Sequence, residues 1–497
     1  MWYVYFEGHD YKYEISELLK LFINIEQICF IDNKALAENQ GFLLICRLSL
    51  FENYCMITAE LFNNEKIIMK KESKKLVINN DDLMNRKIYK RKMKLCIYEI
   101  MSEFFNVQPP WGILTGIRPT KIVHELMDQQ ILLPRIKDIL EEEYKISNTK
   151  IKLLLNVAKI ERPYISSCNE ELVSVYISIP FCPSRCLYCS FPSNPLSKGK
   201  RNIVTQYLEA LMVEIEKTGQ LLQRYNKQIV SLYLGGGTPT TLNADELSVL
   251  LEHAKKHLDL RDVKEITVEA GRPDTITEEK LNILKNYGVQ RISINPQTMN
   301  PDTLRIIGRD HSPKDIEDAV SMARKLGFKT INMDLIIGLP DETPSMVENT
   351  MKEILRLQPE NLTVHTLAIK NSSKLKNEIK NYELAQEEQA KEMLKITANY
   401  AEKMGLIPYY MYRQKYMIGN LENIGYCIPK HECIYNIQIM EERQTIIGLG
   451  AGAISKVYYP TENRLERVPN VTNVEHYINR VDEMIQKKKH ELSKFIE

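Results

Sequence analysis

Val173-Ser-Val-Tyr-Ile-Ser-Ile-Pro-Phe-Cys182-Pro-Ser-Arg-Cys186-Leu-Tyr-Cys189: this segment is the most informative one for the fold of the chain. Its first seven residues are mostly apolar and β-branched, which is typical of a buried strand. Three cysteines then follow within eight residues, although the whole chain of 497 residues has only 10. Chance seldom places three so close together, so this loop is the first candidate for a chemical site.

The spacing of the three cysteines favours an iron–sulfur cluster over a zinc ion. A structural zinc site normally needs a fourth Cys or His, and the next histidine downstream is His253. Three thiolates from one short loop can instead hold three irons of a cubane cluster and leave the fourth iron open. Burial of the thiols as plain core residues is the weakest alternative, because the other seven cysteines are scattered singly.

Strand-like and helical segments alternate from residue 173 onwards. Apolar runs predict strands at 173–179, 229–234, 265–269, 291–294, 330–337 and 362–367. Helical periodicity lies between them, for instance at 204–222 and 247–258. Such alternation predicts a parallel sheet covered by helices. Because no dinucleotide-binding glycine fingerprint follows the first strand, we expect an α/β fold with an incomplete (β/α)6 barrel, whose chemistry lies at the carboxyl ends of the strands.

Two further regions flank the predicted barrel. Residues 1–165 carry short β-rich runs and then, from Asp81, apolar residues at helical spacing, which predicts an N-terminal α+β domain. Glu161-Arg162-Pro163 is a plausible linker before the barrel at 170–370. Residues 371–497 are expected to form a mostly helical C-terminal domain against the barrel mouth.

Composition limits the partners of the protein. The chain has 66 Lys and Arg against 65 Asp and Glu, a formal charge of +1, which gives little support to binding of nucleic acid or of an anionic membrane. No apolar run approaches the ~18 residues needed to span a bilayer. The start of the chain carries Glu7 and lacks the basic and apolar regions of a signal peptide. We therefore expect a cytoplasmic protein with reduced thiols.

The Cys-x3-Cys-x2-Cys pattern after the first barrel strand, with Tyr188 before the last cysteine, resembles the signature of the radical S-adenosylmethionine (SAM) superfamily. The resemblance implies a [4Fe–4S] cluster on Cys182, Cys186 and Cys189, with the open iron chelated by SAM. One electron from the cluster would cleave SAM to methionine and a 5′-deoxyadenosyl radical. The segment Gly235-Gly-Gly-Thr-Pro-Thr240, after the second strand, is similar to the superfamily's contact with the SAM amino group.

Further segments resemble the oxygen-independent coproporphyrinogen III oxidase (dehydrogenase) family. They are Tyr176-Ile-Ser-Ile-Pro-Phe-Cys182, Arg291-Ile-Ser-Ile-Asn-Pro-Gln297, Ile307-Gly-Arg309-Asp-His311 and Asn332-Met-Asp334-Leu-Ile-Ile-Gly-Leu-Pro340. The N-terminal extension, Pro110-Trp-Gly-Ile-Leu-Thr-Gly-Ile-Arg-Pro119 and Glu422-Asn-Ile-Gly-Tyr426 resemble its HemZ branch. By this resemblance Tyr176, Gly236 and Glu269 contact the cluster-bound SAM. A second SAM or substrate pocket would be lined by Tyr188, Gly237, Thr238, Gln297, Arg309, Asp334 and Ala368.

The family resemblance also implies a substrate and an electron source. The substrate would be coproporphyrinogen III, in which two propionates become vinyl groups to give protoporphyrinogen IX in heme biosynthesis, with flavodoxin or ferredoxin as a type of electron donor. Its carboxylates need cationic partners, for which the candidates are Arg185, Arg272, Lys370, Arg413 and Lys415. Tyr409, Tyr410 and Tyr412 could stack on a tetrapyrrole or pack in the core. The histidines His365 and His311 could donate protons, bind heme or serve as scaffold.

The sequence departs from the oxidases of this family at two places. Many of them have His where this chain has Ser178, and they carry a fourth Cys two residues after the cluster motif, where Ser190-Phe191 follows here. Relatives that act as heme chaperones share both features. A heme-binding chaperone that keeps the cluster without oxidising coproporphyrinogen is therefore the alternative function. Two remoter alternatives are an enzyme that opens or methylates heme and an RNA-binding N-terminal domain.

Overall fold

The computed structural model describes residues 1–37, 41–76, 82–116, 118–166, 170–196, 201–414 and 417–495. The chain divides into two compact units, Met1–Asn156 and Val157–Glu497. The first boundary thus lies a few residues upstream of the one that the sequence predicts.

The first unit contains a five-stranded sheet covered by helices, in keeping with the predicted α+β character. Its strands are β1 (Trp2–Glu7), β2 (Ile28–Ile31), β3 (Phe42–Leu50), β4 (Tyr54–Asn63) and β5 (Lys66–Leu76), in the order β2-β1-β3-β4-β5. Its helices are α1 (Lys12–Leu19), α2 (Asp82–Phe105), α3 (Thr120–Asp128), α4 (Leu133–Glu142) and the start of α5 (Asn148–Ser166). Alternate strand residues such as Leu44 and Ile57 are buried in one cluster with Ile15 and Ile97 from the helices.

The predicted linker at residues 161–163 is part of helix α5 instead. Proline in a helix interior removes one backbone hydrogen bond and normally ends the helix, yet α5 continues past Pro163 to Ser166. Glu161 and Ile165, which lie four residues apart and so on one face, are 0% and 4% exposed. Ile165 packs in a hydrophobic cluster with Tyr409 and Ile437, and this apolar packing offsets the hydrogen bond that Pro163 cannot donate.

The second unit is built on six parallel strands that agree with the predicted ones to within two residues at either end. They are β6 (Leu172–Ile179), β9 (Gln228–Gly236), β10 (Glu265–Glu269), β11 (Arg291–Ser293), β12 (Thr330–Ile337) and β13 (Asn361–Thr366). A two-residue pair, β7 (Phe181–Cys182) and β8 (Asn194–Pro195), follows β6. The helices of this part are α6 (Arg201–Arg224), α7 (Ala244–His257), α8 (Glu278–Asn286), α9 (Pro301–Ile306), α10 (Pro313–Lys325) and α11 (Pro344–Leu357).

The predicted separate, mostly helical C-terminal domain needs correction, because residues 371–497 extend the same sheet at both ends. The added strands are β14 (Ile407–Tyr412), β15 (Asn423–Cys427), β16 (Thr445–Leu449), β17 (Ile454–Tyr459) and β18 (Arg464–Pro469). The sheet has eleven strands in the order β14-β15-β13-β12-β11-β10-β9-β6-β16-β17-β18. The remaining helices are α12 (Lys374–Glu378), α13 (Glu387–Lys403), α14 (Ile434–Glu441), α15 (Val474–Asn479) and α16 (Val481–Ser493).

A buried polar network fastens the C-terminal helices to the end of β6. The carboxylate of Glu214 accepts hydrogen bonds from the Gly450 backbone (2.7 Å) and the Tyr477 hydroxyl (2.6 Å), and it pairs with Lys488 (2.6 Å). The loop that contains Gly450 in turn accepts a 2.9 Å hydrogen bond from Ser178 through the Ala451 carbonyl. The residues just before the cysteine loop are therefore held by the C-terminal part of the chain.

No helix in the described parts of the chain is long and apolar enough to cross a membrane.

Candidate active site

A cavity of about 380 Å³ lies at the carboxyl ends of the parallel strands. Each strand contributes a residue at or just beyond its end, since parallel strands bring these ends to one edge of the sheet. All thirteen residues predicted from the sequence line this cavity: Tyr176, Cys182, Cys186, Tyr188, Cys189, Gly236, Gly237, Thr238, Glu269, Gln297, Arg309, Asp334 and Ala368. The structure therefore brings the predicted set together in one place.

The cysteine loop is held by backbone hydrogen bonds to two distant segments. Leu187 donates to the Ile307 carbonyl (3.0 Å), and its own carbonyl accepts from Leu375 (2.9 Å). The guanidinium group of Arg272 contacts Ser184 Oγ at 3.0 Å and Cys186 Sγ at 3.7 Å while it forms two hydrogen bonds to Asp274. These contacts fix the position of the loop.

The glycine loop after β9 packs directly against the first cysteine. Gly236 has φ +109°, a conformation that glycine adopts without strain. A Cβ at Gly237 would lie 2.4 Å from the Phe181 carbonyl oxygen and 2.9 Å from Cys182 Sγ. Thr238 completes the contact, with its Oγ1 3.6 Å from Cys182 Sγ. Only glycine fits at 237 with the cysteine in this position.

The thiols suit a cluster better than a single metal ion. Burial raises the pKa of Cys182 and Cys189, and repulsion from neighbouring thiolates adds to the effect at both residues. A positively charged group between them would offset this penalty. Among the described residues the three sulfur atoms do not all lie within 4.8 Å of one another. Ligands about 2.3 Å from one zinc ion lie closer together than that, whereas a cubane spreads its ligands more widely.

Gln297 offers an unsatisfied acceptor to a ligand. Its φ of +67° is strained for a residue other than glycine, and backbone hydrogen bonds to Asp334 (2.9 Å) and Ile336 (2.9 Å) hold it there. The side chain is 7% exposed, and its Oε1 has no hydrogen-bond partner among the described residues. A buried acceptor without a donor is costly. The hydroxyl and amino groups of SAM could supply the missing donor.

Glu269 is a buried carboxyl group positioned by tyrosines. The Tyr233 hydroxyl donates to Glu269 Oε1 at 2.6 Å. The rings of Tyr233, Tyr176 and Tyr435 form a mutually stacked group, with the Tyr233 centroid 6.1 Å from that of Tyr176 and 4.4 Å from that of Tyr435. Burial, together with the nearby Asp334 carboxylate, raises the pKa of Glu269 from its usual 4.5 to about 7. This carboxyl can therefore either donate or accept a hydrogen bond near neutral pH.

Asp334 remains an anion at the same depth of the cavity. Burial alone would raise the pKa of Asp334, but His365, whose Nε2 lies 4.0 Å from Asp334 Oδ2, and Asn332, which donates to Oδ1 at 2.8 Å, bring it below its ordinary value. His365 Nδ1 lies 3.0 Å from the Tyr412 hydroxyl. The imidazole thus bridges an acid and a phenol on the cavity wall.

Arg309 joins the cysteine loop to two strand ends. Its guanidinium donates to the carbonyls of Gly271 (3.0 Å) and Asn295 (3.2 Å) and to the hydroxyl of Tyr188 (3.1 Å). Among the described residues Arg309 makes no ion pair with Asp334. The hydrogen bond from Arg309 to the hydroxyl group orients the Tyr188 side chain.

The secondary candidates from the sequence divide into three groups. Arg272, Lys370, His365 and Tyr412 line the cavity, whereas Arg185, Arg413, His311, Tyr409 and Tyr410 are not among its wall residues. Lys415 lies outside the described residues. Sequence reasoning did not single out Asn295, Gly271 or Gln414 of the wall; the position of Asn295 two residues before Gln297, just after a strand, was the available signal.

The comparisons with known proteins agree with this geometry. Residues 176–354 match the family model of the radical SAM superfamily. The chain is 38% identical over 414 residues, 82% of each protein, to the oxygen-independent coproporphyrinogen-III oxidase-like protein HemZ of Bacillus subtilis (strain 168). It belongs to the radical SAM superfamily, in the HemZ branch of the oxygen-independent coproporphyrinogen III oxidase family.

Two other similar proteins are a heme chaperone and a coproporphyrinogen III oxidase. The chain is 33% identical over 317 residues, 62% of this chain and 76% of the relative, to the heme chaperone HemW of the same organism. The solved structure of coproporphyrinogen III oxidase (HemN) from Escherichia coli, described as a radical SAM enzyme, covers 66% of this chain and is covered over 73% of its own, with 24% identity and a TM-score of 0.50. This likeness confirms the predicted fold class. A [4Fe–4S] cluster and SAM, the predicted cofactors, are those of the superfamily.

Proposed function

We propose that the protein oxidatively decarboxylates propionate side chains of coproporphyrinogen III to vinyl groups without oxygen, in heme biosynthesis. The family membership supports a radical SAM role in heme metabolism, and the proposal narrows that role to one reaction. The main observation in support of this proposal is that three thiols, the glycine loop and the buried carboxylates line one cavity.

The cavity residues would hold the two cofactors. Cys182, Cys186 and Cys189 would bind the cluster, and Gly236 with Glu269 would accept SAM. When bound, this pair supplies the one-electron chemistry that removes a hydrogen atom from an unactivated carbon. Each propionate then loses that hydrogen atom, carbon dioxide and one electron, and a carbon–carbon double bond forms. The electron passes to an external acceptor, and a protein of the flavodoxin or ferredoxin type is the proposed donor to the cluster.

The protein's own groups would orient the reactants. The Tyr233 hydroxyl fixes the rotamer of Glu269, so the carboxyl can accept from ribose hydroxyls without rearrangement. Gln297 Oε1 would accept another ligand donor. Glu269 and Gln297 would play these roles from the positions described above, so the backbone need not move.

Turnover tests the proposal directly. Anaerobically reconstituted protein would be incubated with SAM, a low-potential reductant and coproporphyrinogen III, and the products oxidised and separated by chromatography. We expect protoporphyrin together with 5′-deoxyadenosine, one molecule for each vinyl group formed, and neither product from a Cys186→Ala variant. Cys427→Ala, which removes a buried thiol outside the cavity, is the matched control. Cleavage of SAM without any vinyl product would refute the reaction.

The second candidate function is that of a heme chaperone. It is favoured by Phe191, which stands where the oxidases carry a fourth cysteine, and by the similarity to HemW. In the same reconstitution a chaperone would form a stable complex with heme and give no vinyl product. Consumption of the heme itself would indicate the remaining alternative, an enzyme that modifies heme.

A further inference from the structure

Lys370 is the one carboxylate-binding candidate among the described residues that lines the cavity with its charge unpaired. Arg272 is engaged by Asp274, Arg185 donates to the Ser372 carbonyl at 2.7 Å, and Arg413 donates to the Asn420 carbonyl at 2.9 Å. In the described part of the chain Lys370 has neither a carboxylate within ion-pair distance nor a hydrogen bond from its ammonium group.

The backbone around Lys370 is fixed relative to the cysteine loop. The segment after β13 turns at this residue, whose carbonyl accepts from Ser373 N (3.0 Å) and Ser373 Oγ (2.7 Å). Ser372 then binds the cysteine loop through Arg185 and through a 3.3 Å hydrogen bond from its hydroxyl to the Ser190 carbonyl. The ammonium group is consequently delivered to the part of the wall that contains Cys189.

Burial makes an unpaired ammonium group unfavourable at this site. Desolvation lowers the pKa of Lys370, and the nearby Cys189 thiolate opposes it only in part. A half-buried cation in a cavity is most simply explained by an anionic ligand that replaces the lost water. Because a lysine presents a compact point charge, one carboxylate is the fitting ligand group.

Phe191 supplies an apolar surface on the same cavity. Its side chain is 62% exposed although it lines the wall two residues after Cys189. An exposed aromatic ring on the same cavity as an unpaired cation suits a ligand with a large apolar face and carboxylates at its edge.

We infer that Lys370 binds a peripheral propionate carboxylate of the tetrapyrrole while Phe191 contacts the face of its ring. This inference rests on the proposed function for the class of ligand, and it deepens that function by assigning the group that recognises it. Lys370 is then a specificity-determining residue, which distinguishes a tetrapyrrole with free carboxylates from one without them.

Binding of a stable porphyrin separates this role from turnover. Reconstituted protein would be titrated by absorbance with coproporphyrin III and, in the same detergent buffer, with its tetramethyl ester. We expect Lys370→Met to weaken binding of the tetra-acid about tenfold and to leave the ester unchanged, and Lys370→Arg to restore most of the affinity. Phe191→Ala should weaken both porphyrins alike. Lys374→Met, an exposed lysine of the same segment, is the matched control, and iron content is measured for every variant.

Several outcomes would overturn the inference. They are equal losses for acid and ester in Lys370→Met, a loss of SAM affinity in place of porphyrin affinity, and wild-type protein that binds the ester as tightly as the acid. A Phe191→Ala variant that binds both porphyrins normally would remove the ring contact. If the carboxylate-dependent difference is found but no vinyl product forms, the oxidase proposal fails and the role of Lys370 stands.

Discussion

A single methyl group at Gly237 should separate the cysteine loop from the glycine loop. In Gly237→Ala the new Cβ would overlap the Phe181 carbonyl oxygen at 2.4 Å and approach Cys182 Sγ at 2.9 Å. Backbone rather than a flexible side chain meets it, so the two loops must move apart. That movement would stretch the hydrogen bonds from Gly237 N to the Ile179 carbonyl (2.8 Å) and from Thr238 N to the Phe181 carbonyl (2.8 Å).

The size of the effect follows from these contacts. Each backbone hydrogen bond contributes about 1 kcal/mol, and forcing a methyl group into a packed site costs typically 1–3 kcal/mol. We therefore expect the free energy of unfolding to fall by about 3 kcal/mol. Cys182 would also be displaced, so the variant should retain less iron than wild type after reconstitution.

The control is Gly116→Ala, because a Cβ there meets no atom within 4 Å. Both substitutions reduce the entropy of the unfolded chain equally, by about 0.4–1 kcal/mol, so their difference isolates the clash. Urea unfolding gives the free energies, and iron assay with the visible absorbance gives cluster content. The reasoning is refuted if Gly237→Ala matches Gly116→Ala in stability and in iron per chain.

Three further predictions concern residues around the site. Because the pKa of Glu269 is raised, the folded protein without cofactors binds an extra proton between pH about 4.5 and about 7, and the stabilisation that this proton gives is lost as the pH rises through that window. In Glu269→Gln the free energy of unfolding, measured at several pH values, should fall less across this window, and SAM affinity should decrease. A pH profile of stability unchanged from wild type would contradict the raised pKa. Arg309→Lys should lower the free energy of unfolding by about 2 kcal/mol and Tyr188→Phe by about 1 kcal/mol. The double mutant should lose less than the sum of the two single losses, because both substitutions remove the same hydrogen bond. Additive losses would exclude this coupling. Lys488→Met should cost about 3–5 kcal/mol in urea unfolding, because it leaves Glu214 buried and unpaired, and a loss under 1 kcal/mol would show that the network tolerates the charge.

Local sequence patterns were sufficient to predict the six parallel strands from β6 to β13 that carry the site, but not the five strands that residues 371–497 add to the same sheet. Buried parallel strands are continuous apolar runs, and both β10 and β12 have the predicted bounds. The residues at their ends could be predicted to meet because parallel strands end at one edge. Cys182, Gly236 and Glu269 therefore share a wall without any long-range information beyond the order of the strands.

Those patterns do not predict contacts between segments that are far apart in the sequence. Strand β16 pairs in parallel with β6, a neighbour more than 260 residues earlier, and no periodicity indicates which strand it joins. Pro163 also misled, since proline normally marks a break, whereas here the packing of Ile165 in a hydrophobic cluster supports the continuing helix. Lys370 is left as the unpaired cationic candidate on the wall because Arg185 and Arg272 bind other groups in the folded chain. The sequence alone does not determine those contacts.

The two departures from the oxidase pattern have different physical meanings. Ser178 is 5% exposed and donates to the Ala451 carbonyl at 2.9 Å, and its Oγ lies 3.0 Å from the place where a Cβ of Gly236 would stand. Ser178 is not among the wall residues of the cavity, so it acts on a ligand through the loops and the wall residue Tyr176 that it contacts. Phe191, in contrast, lies on the cavity wall and is largely exposed. A side chain in contact with a ligand acts directly on how that ligand reacts. If the protein binds a tetrapyrrole as proposed, exchange of the side chain for cysteine at residue 191 should therefore alter its reaction more directly than a change at residue 178.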